Sequence, residues 1–184
     1  MRTVVAALGA GLLLAGAAPN AAQAHPLDEV VQGSYLTLKP GQVALELDIS
    51  PGPLVVDTVL RRLDGDGDGR ISRDEAKAFG RMVLGQTILS IDGVAAAWRV
   101  ESVVAPPFQN IRQGADTIKI YAVARRLERV GAHSFAYENR YAPARTQAAA
   151  NVFLQPGDGW RYTVAGQAHG PDGRSLTVRY TAAR

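Results

Sequence analysis

Asp64, Asp66, Asp68, Ser72 and Glu75 set oxygen-bearing side chains at positions one, three, five, nine and twelve of a single stretch, DGDGDGRISRDE. Oxygen donors this close together suit a hard divalent cation. Ca2+ takes roughly six to eight oxygens at about 2.3–2.6 Å, so a short loop has to curl back on itself to supply them. Gly69, at the sixth position, permits the sharp turn. Arg70, at the seventh, would offer its backbone carbonyl rather than its side chain. Glu75 would close the sphere with both carboxylate oxygens, and Ser72 would act directly or through a water. An acidic, glycine-rich surface turn that binds nothing would need neither a glutamate at the twelfth position nor helices on both sides.

Those helices are legible. Before the loop, Val55, Val56, Val59, Leu60 and Leu63 recur at helical spacing, with Asp57, Arg61 and Arg62 on the other face. Pro53 suits a first helical position. After the loop, Ser72 and Glu75 have the spacing of a capping box, and Ala76, Phe79, Met82 and Val83 form a second apolar stripe. Gly80 interrupts that stripe at a cost of about 1 kcal/mol relative to alanine, which points to close packing or a weak helix.

With apolar Ile71 at the eighth position, residues 55–84, about a sixth of the chain, resemble an EF-hand. The resemblance implies a Ca2+ site formed by Asp64, Asp66, Asp68, Arg70, Ser72 and Glu75. EF-hands generally pair through the eighth position, and no second loop appears. Asp158-Gly159 and Asp172-Gly173 read as turns without an acidic ladder. Ile71 is therefore expected either to pair with a second molecule or to be covered by another strand or by the rest of the fold.

Met1 to Ala24 reads as a signal peptide: Arg2, an apolar stretch from Val4 to Ala18, and a small-x-small cleavage site at Ala22-Gln23-Ala24. The apolar stretch is shorter than the ~20 residues that span a bilayer and carries three glycines, so no transmembrane segment is expected after cleavage. The expected location is secreted or periplasmic. Residues 25–184 then form one domain of ordinary size. Its charge is near balance, the formal +3 falling to about +2 without Arg2, and its basic residues are scattered. Nucleic acid is not an expected partner. The absence of cysteine excludes a zinc–thiolate site and a thiol enzyme.

Outside 53–86 the period changes from helical to two. Val43, Leu45, Leu47 and Ile49 alternate with polar neighbours, and Pro40-Gly41 joins this strand to Leu36 and Leu38 in a hairpin. Thr87–Ile91 and Val94–Val103 read as strands meeting at Asp92-Gly93, with Pro106-Pro107 ending the second. Further strands run through Ile118–Ala124, Phe135–Tyr137, Asn151–Leu154, Trp160–Val164 and Leu176–Tyr180. The alanine-rich segment 141–150 fits either a helical turn or an irregular crossover. Eight or nine short strands between turns predict a mainly β chain, an antiparallel, Ig-like β-sandwich with an inserted helix–loop–helix at about 53–86.

Other chemistry is sparser. There is no GxSxG elbow, HExxH helix, phosphate loop or cysteine nucleophile, so a non-enzymatic role is expected. His133 and His169 read as exposed polar residues. Cleavage after Ala24 would make His25 the first residue, whose amino group and imidazole could chelate nickel or copper. His25-Pro26-Leu27 and the strands after it are similar to the extracytoplasmic N-terminal regions found with bacterial nickel and cobalt permeases. That resemblance implies a soluble metal-binding partner of a membrane permease, since no membrane domain follows here. Trp98, Trp160 and the tyrosines suggest a third role, a carbohydrate-binding or adhesion module, although aromatic residues at strand period are more often core. The leading expectation is an exported protein that binds Ca2+ in a structural role.

Overall fold

The computed structural model describes residues 27–184. The signal peptide expected over 1–24 and the metal-binding role expected of His25 lie outside the described residues. In chain order the elements are β1 (Val30–Lys39), β2 (Gln42–Pro51), α1 (Val56–Leu63), α2 (Arg73–Leu84), β3 (Thr87–Ile91), β4 (Val94–Ala95), β5 (Arg99–Val104), α3 (Phe108–Arg112), β6 (Ile118–Arg125), β7 (Gly131–Asn139), β8 (Thr146–Leu154), β9 (Arg161–His169) and β10 (Ser175–Ala183).

Strict alternation of buried and wetter residues in β1 and β2 builds one face of a core. The strands form two five-stranded sheets, ordered β5-β6-β2-β1-β8 and β4-β3-β7-β10-β9. Leu36, Leu47 and Ile120 from the first sheet share one buried cluster with Leu89, Phe135 and Val178 from the second. The molecule is therefore a mainly β sandwich. Its pairings are antiparallel except for β1 and β8, which run parallel from Val30↔Thr146 to Leu38↔Leu154.

Three segments differ from the sequence expectation. Val94–Val103 is not one strand: β4 belongs to the second sheet and β5 to the first. Ala96 and Trp98 carry the chain between them, the Ala96 amide donating to the Leu89 carbonyl and the Trp98 ring standing edge-on to Tyr137. The strand expected over Asn151–Leu154 begins at Thr146, so its alanines lie inside it. Alanine has little intrinsic preference for strands, and here the parallel register with β1 decides the conformation. The short helix α3 has no periodic signal of its own; Ile111, fully buried, anchors it beside α1.

The two helices inserted between β2 and β3 belong to the same core. Val56, Val59, Leu60 and Leu63 of α1, and Ala76, Phe79, Val83 and Leu84 of α2, are buried. Ile71, between the helices, is half-buried and packs against this cluster. Gly80 is the point where α2 meets β5: a Cβ there would lie 2.6 Å from Val103 Cγ2. Gly80→Leu is expected to destabilise by about 1–3 kcal/mol through overpacking, outweighing the helix propensity gained. Urea unfolding reads this, and a more stable variant would contradict it.

Candidate metal centre

Leu63 ends α1 and Ser72 caps α2, so the intervening loop is pinned at both ends by helices whose apolar faces are buried. Asp64 is nearly buried at the end of α1, where its amide donates to the Leu60 carbonyl at 2.8 Å. Its carboxylate organises the turn: Oδ1 accepts from the Gly67 amide at 3.0 Å and Oδ2 from the Gly69 amide at 3.1 Å. Gly67 and Gly69 have φ of +74° and +77°, the left-handed conformation that this curl requires and that glycine adopts without penalty. Asp66 Oδ1 accepts from the Asp68 amide at 3.1 Å, and Asp68 Oδ1 from the Arg70 amide at 2.8 Å.

Consequently Asp64, Asp66 and Asp68 converge, each offering a carboxylate oxygen within 4.8 Å of the others. Among the described residues none of the three takes part in an ion pair. Carboxylates gathered this closely repel one another, and a divalent cation would relieve that repulsion.

Glu75 is not one of that group. It straps the loop together: Oε1 accepts from the Gly65 amide at 2.7 Å and from the Asp66 amide at 3.3 Å, while Oε2 accepts from the Ser72 amide at 2.9 Å and the Ser72 hydroxyl at 2.7 Å. The Ser72 hydroxyl in turn accepts from the Glu75 amide, completing the capping box expected from the sequence. The Ser72 amide, the Ser72 hydroxyl and the Gly65 amide, in that order, hold the Glu75 carboxyl at about 2, well below the usual range. Ser72 is thus engaged in the cap, and Arg70 is exposed with its amide on Asp68.

Other residues singled out from the sequence have local roles. His133 is not a free polar residue, because Nδ1 faces Asp92 Oδ2 at 2.8 Å and Nε2 faces the Arg129 carbonyl at 2.9 Å. His169 Nε2 reaches the Ala150 carbonyl at 3.0 Å and so links β9 to β8. Trp98 and Trp160 are half-buried against the core, Trp160 beneath the Arg184 guanidinium. Sequence reasoning missed the side chain that joins Glu46 and Asp48 on the outer sheet face, Lys119, which the register of β2 and β6 brings opposite Asp48.

No protein-family model matches this chain, and no curated protein matches it. Among the described residues no helix is long and apolar enough to cross a membrane.

Proposed function

We propose that the helix–loop–helix is a single EF-hand-type Ca2+ site that braces the sandwich of an exported, non-enzymatic protein. The convergence of Asp64, Asp66 and Asp68 within 4.8 Å, with no ion pair to any of them among the described residues, carries this reading. Asp64, Asp66 and Asp68 would hold the ion with the Arg70 carbonyl, and Glu75 and Ser72 would complete an all-oxygen shell suited to a hard cation by exchanging the loop hydrogen bonds that they make with each other and with Gly65. When bound, Ca2+ supplies positive charge that neutralises the loop.

A structural role is favoured over a switch by where the helices sit. Opening α1 from α2 would expose Leu63, Phe79 and Val83, all essentially inaccessible to solvent. Extracellular modules of this kind bind Ca2+ at about 10⁻⁴ to 10⁻³ M, and at about ten times its Kd the ion would add about 1.4 kcal/mol to stability. Thermal unfolding in millimolar Ca2+ is expected to occur about 3–6 °C above that in EGTA. Equal midpoints in the two conditions would refute the brace.

A further inference from the structure

The outer face of the first sheet carries a shelf of about 580 Å³, within the size range of small-ligand sites. Side chains pointing away from the core on neighbouring strands meet there. Glu46 lies opposite both Tyr35 and Tyr121, and Asp48 lies opposite both Gly33 and Lys119. Gly33 gives the shelf its shape. A Cβ at that position would stand 2.9 Å from Tyr35 Cε2 and Cζ, so the missing side chain lets the Tyr35 ring lie down over its own strand. Phe153 of β8 extends the aromatic surface, its ring centroid 6.4 Å from that of Tyr35 and its plane tilted by 40°. Both rings keep solvent-facing area, Tyr35 at 36% and Phe153 at 52% exposure.

Polar groups stand beside the rings. Lys119 Nζ donates to Glu46 Oε1 at 2.7 Å and to Asp48 Oδ2 at 3.2 Å, and the Tyr121 hydroxyl donates to Glu46 Oε1 at 3.3 Å. Asp48 Oδ1 is buried and accepts no hydrogen bond. Burial pushes the Asp48 carboxyl up, against the pull of Lys119. Cross-strand ion pairing accounts for Lys119 with Glu46, but it leaves the uncovered aromatic surface without a purpose.

A sugar ring matches the exposed rings and the polar groups beside them. Its C–H face stacks on an aromatic plane, its hydroxyl groups donate to carboxylates, and an ammonium donates to its oxygens. We propose that this shelf binds a saccharide, the sugar ring seated on Tyr35 and its hydroxyl groups ordered by Glu46, Asp48 and Lys119. No residue of the shelf belongs to the helix–loop–helix, so this site stands independently of the Ca2+ reading.

The test is an NMR titration of 15N-labelled protein with maltohexaose, cellohexaose and chitohexaose in millimolar Ca2+. At least one of them is expected to shift the amide signals of Gly33, Tyr35, Glu46 and Asp48. Tyr35→Ala and the isosteric Asp48→Asn are each expected to weaken that binding about tenfold. Silence with all three oligosaccharides, shifts confined to another face, or affinity unaltered by both shelf variants would overturn the proposal.

Discussion

Phe79→Ala is expected to lower stability by about 3–5 kcal/mol, read by urea unfolding. The ring is 1% exposed and meets Tyr141 edge to face with centroids 6.0 Å apart. Truncation therefore removes buried apolar area and an aromatic contact together, and it leaves a cavity in the buried cluster that α2 shares with the sheets. Saturating Ca2+ would return only about 1.4 kcal/mol at ten times its Kd, because filling the loop does not refill the core. Phe79→Leu, which keeps most of the volume, is expected to cost less than about 1.5 kcal/mol. A loss below about 1 kcal/mol for Phe79→Ala would show that α2 does not share the sandwich core, and the brace would then have nothing to hold.

Glu128→Ala is expected to be as damaging, again about 3–5 kcal/mol, for an electrostatic reason. Arg126 is almost fully buried, with its guanidinium 5.5 Å from the Tyr162 ring and 5.6 Å from the Tyr180 ring. Its Nη2 donates to both oxygens of Glu128 at 2.7 Å. Glu128 Oε2 also accepts from the Gly41 amide at 2.7 Å and the Tyr162 hydroxyl at 3.0 Å. One carboxylate thus ties the β1–β2 turn, the end of β6 and the start of β9. Burial first, and the neighbouring carboxylate second, push the Tyr162 hydroxyl up. Removing Glu128 strands a charged guanidinium between two rings. The paired replacement Arg126→Met with Glu128→Leu is expected to recover most of the loss, since it removes both charges at similar volume. A double variant no better than Glu128→Ala would mean that the hydrogen bonds to Gly41 and Tyr162, rather than the unpaired charge, dominate.

Local chemistry in this chain is legible where the pattern itself imposes the structure. The period-two runs in 36–49 and 176–180 must bury one face, and they do so. The stripes around Val59 and Phe79, and the Ser72–Glu75 spacing, fix two helices and a cap from nearest neighbours alone. The three aspartates converge because their spacing and the intervening glycines curl the backbone. What stayed illegible depends on partners far along the chain. Alanines 148–150 become strand only because β1 lies beside them. Arg126 and Glu128 carry no local signal of burial, which comes from Tyr162 and Tyr180 closing over the guanidinium. Tyr35 alternates like any strand tyrosine, and only the glycine two residues earlier, seen in three dimensions, shows its ring lying flat.

Isothermal calorimetric titration of the protein with CaCl2 tests the loop from Asp64 to Glu75 most directly as a Ca2+ site. The expected result is a single Ca2+ per chain with a Kd of about 10⁻³ M or tighter, weakened on the order of 100-fold in Glu75→Gln, which keeps the side-chain shape and removes the charge. No binding heat through millimolar Ca2+, or binding that Glu75→Gln leaves unchanged, would contradict it.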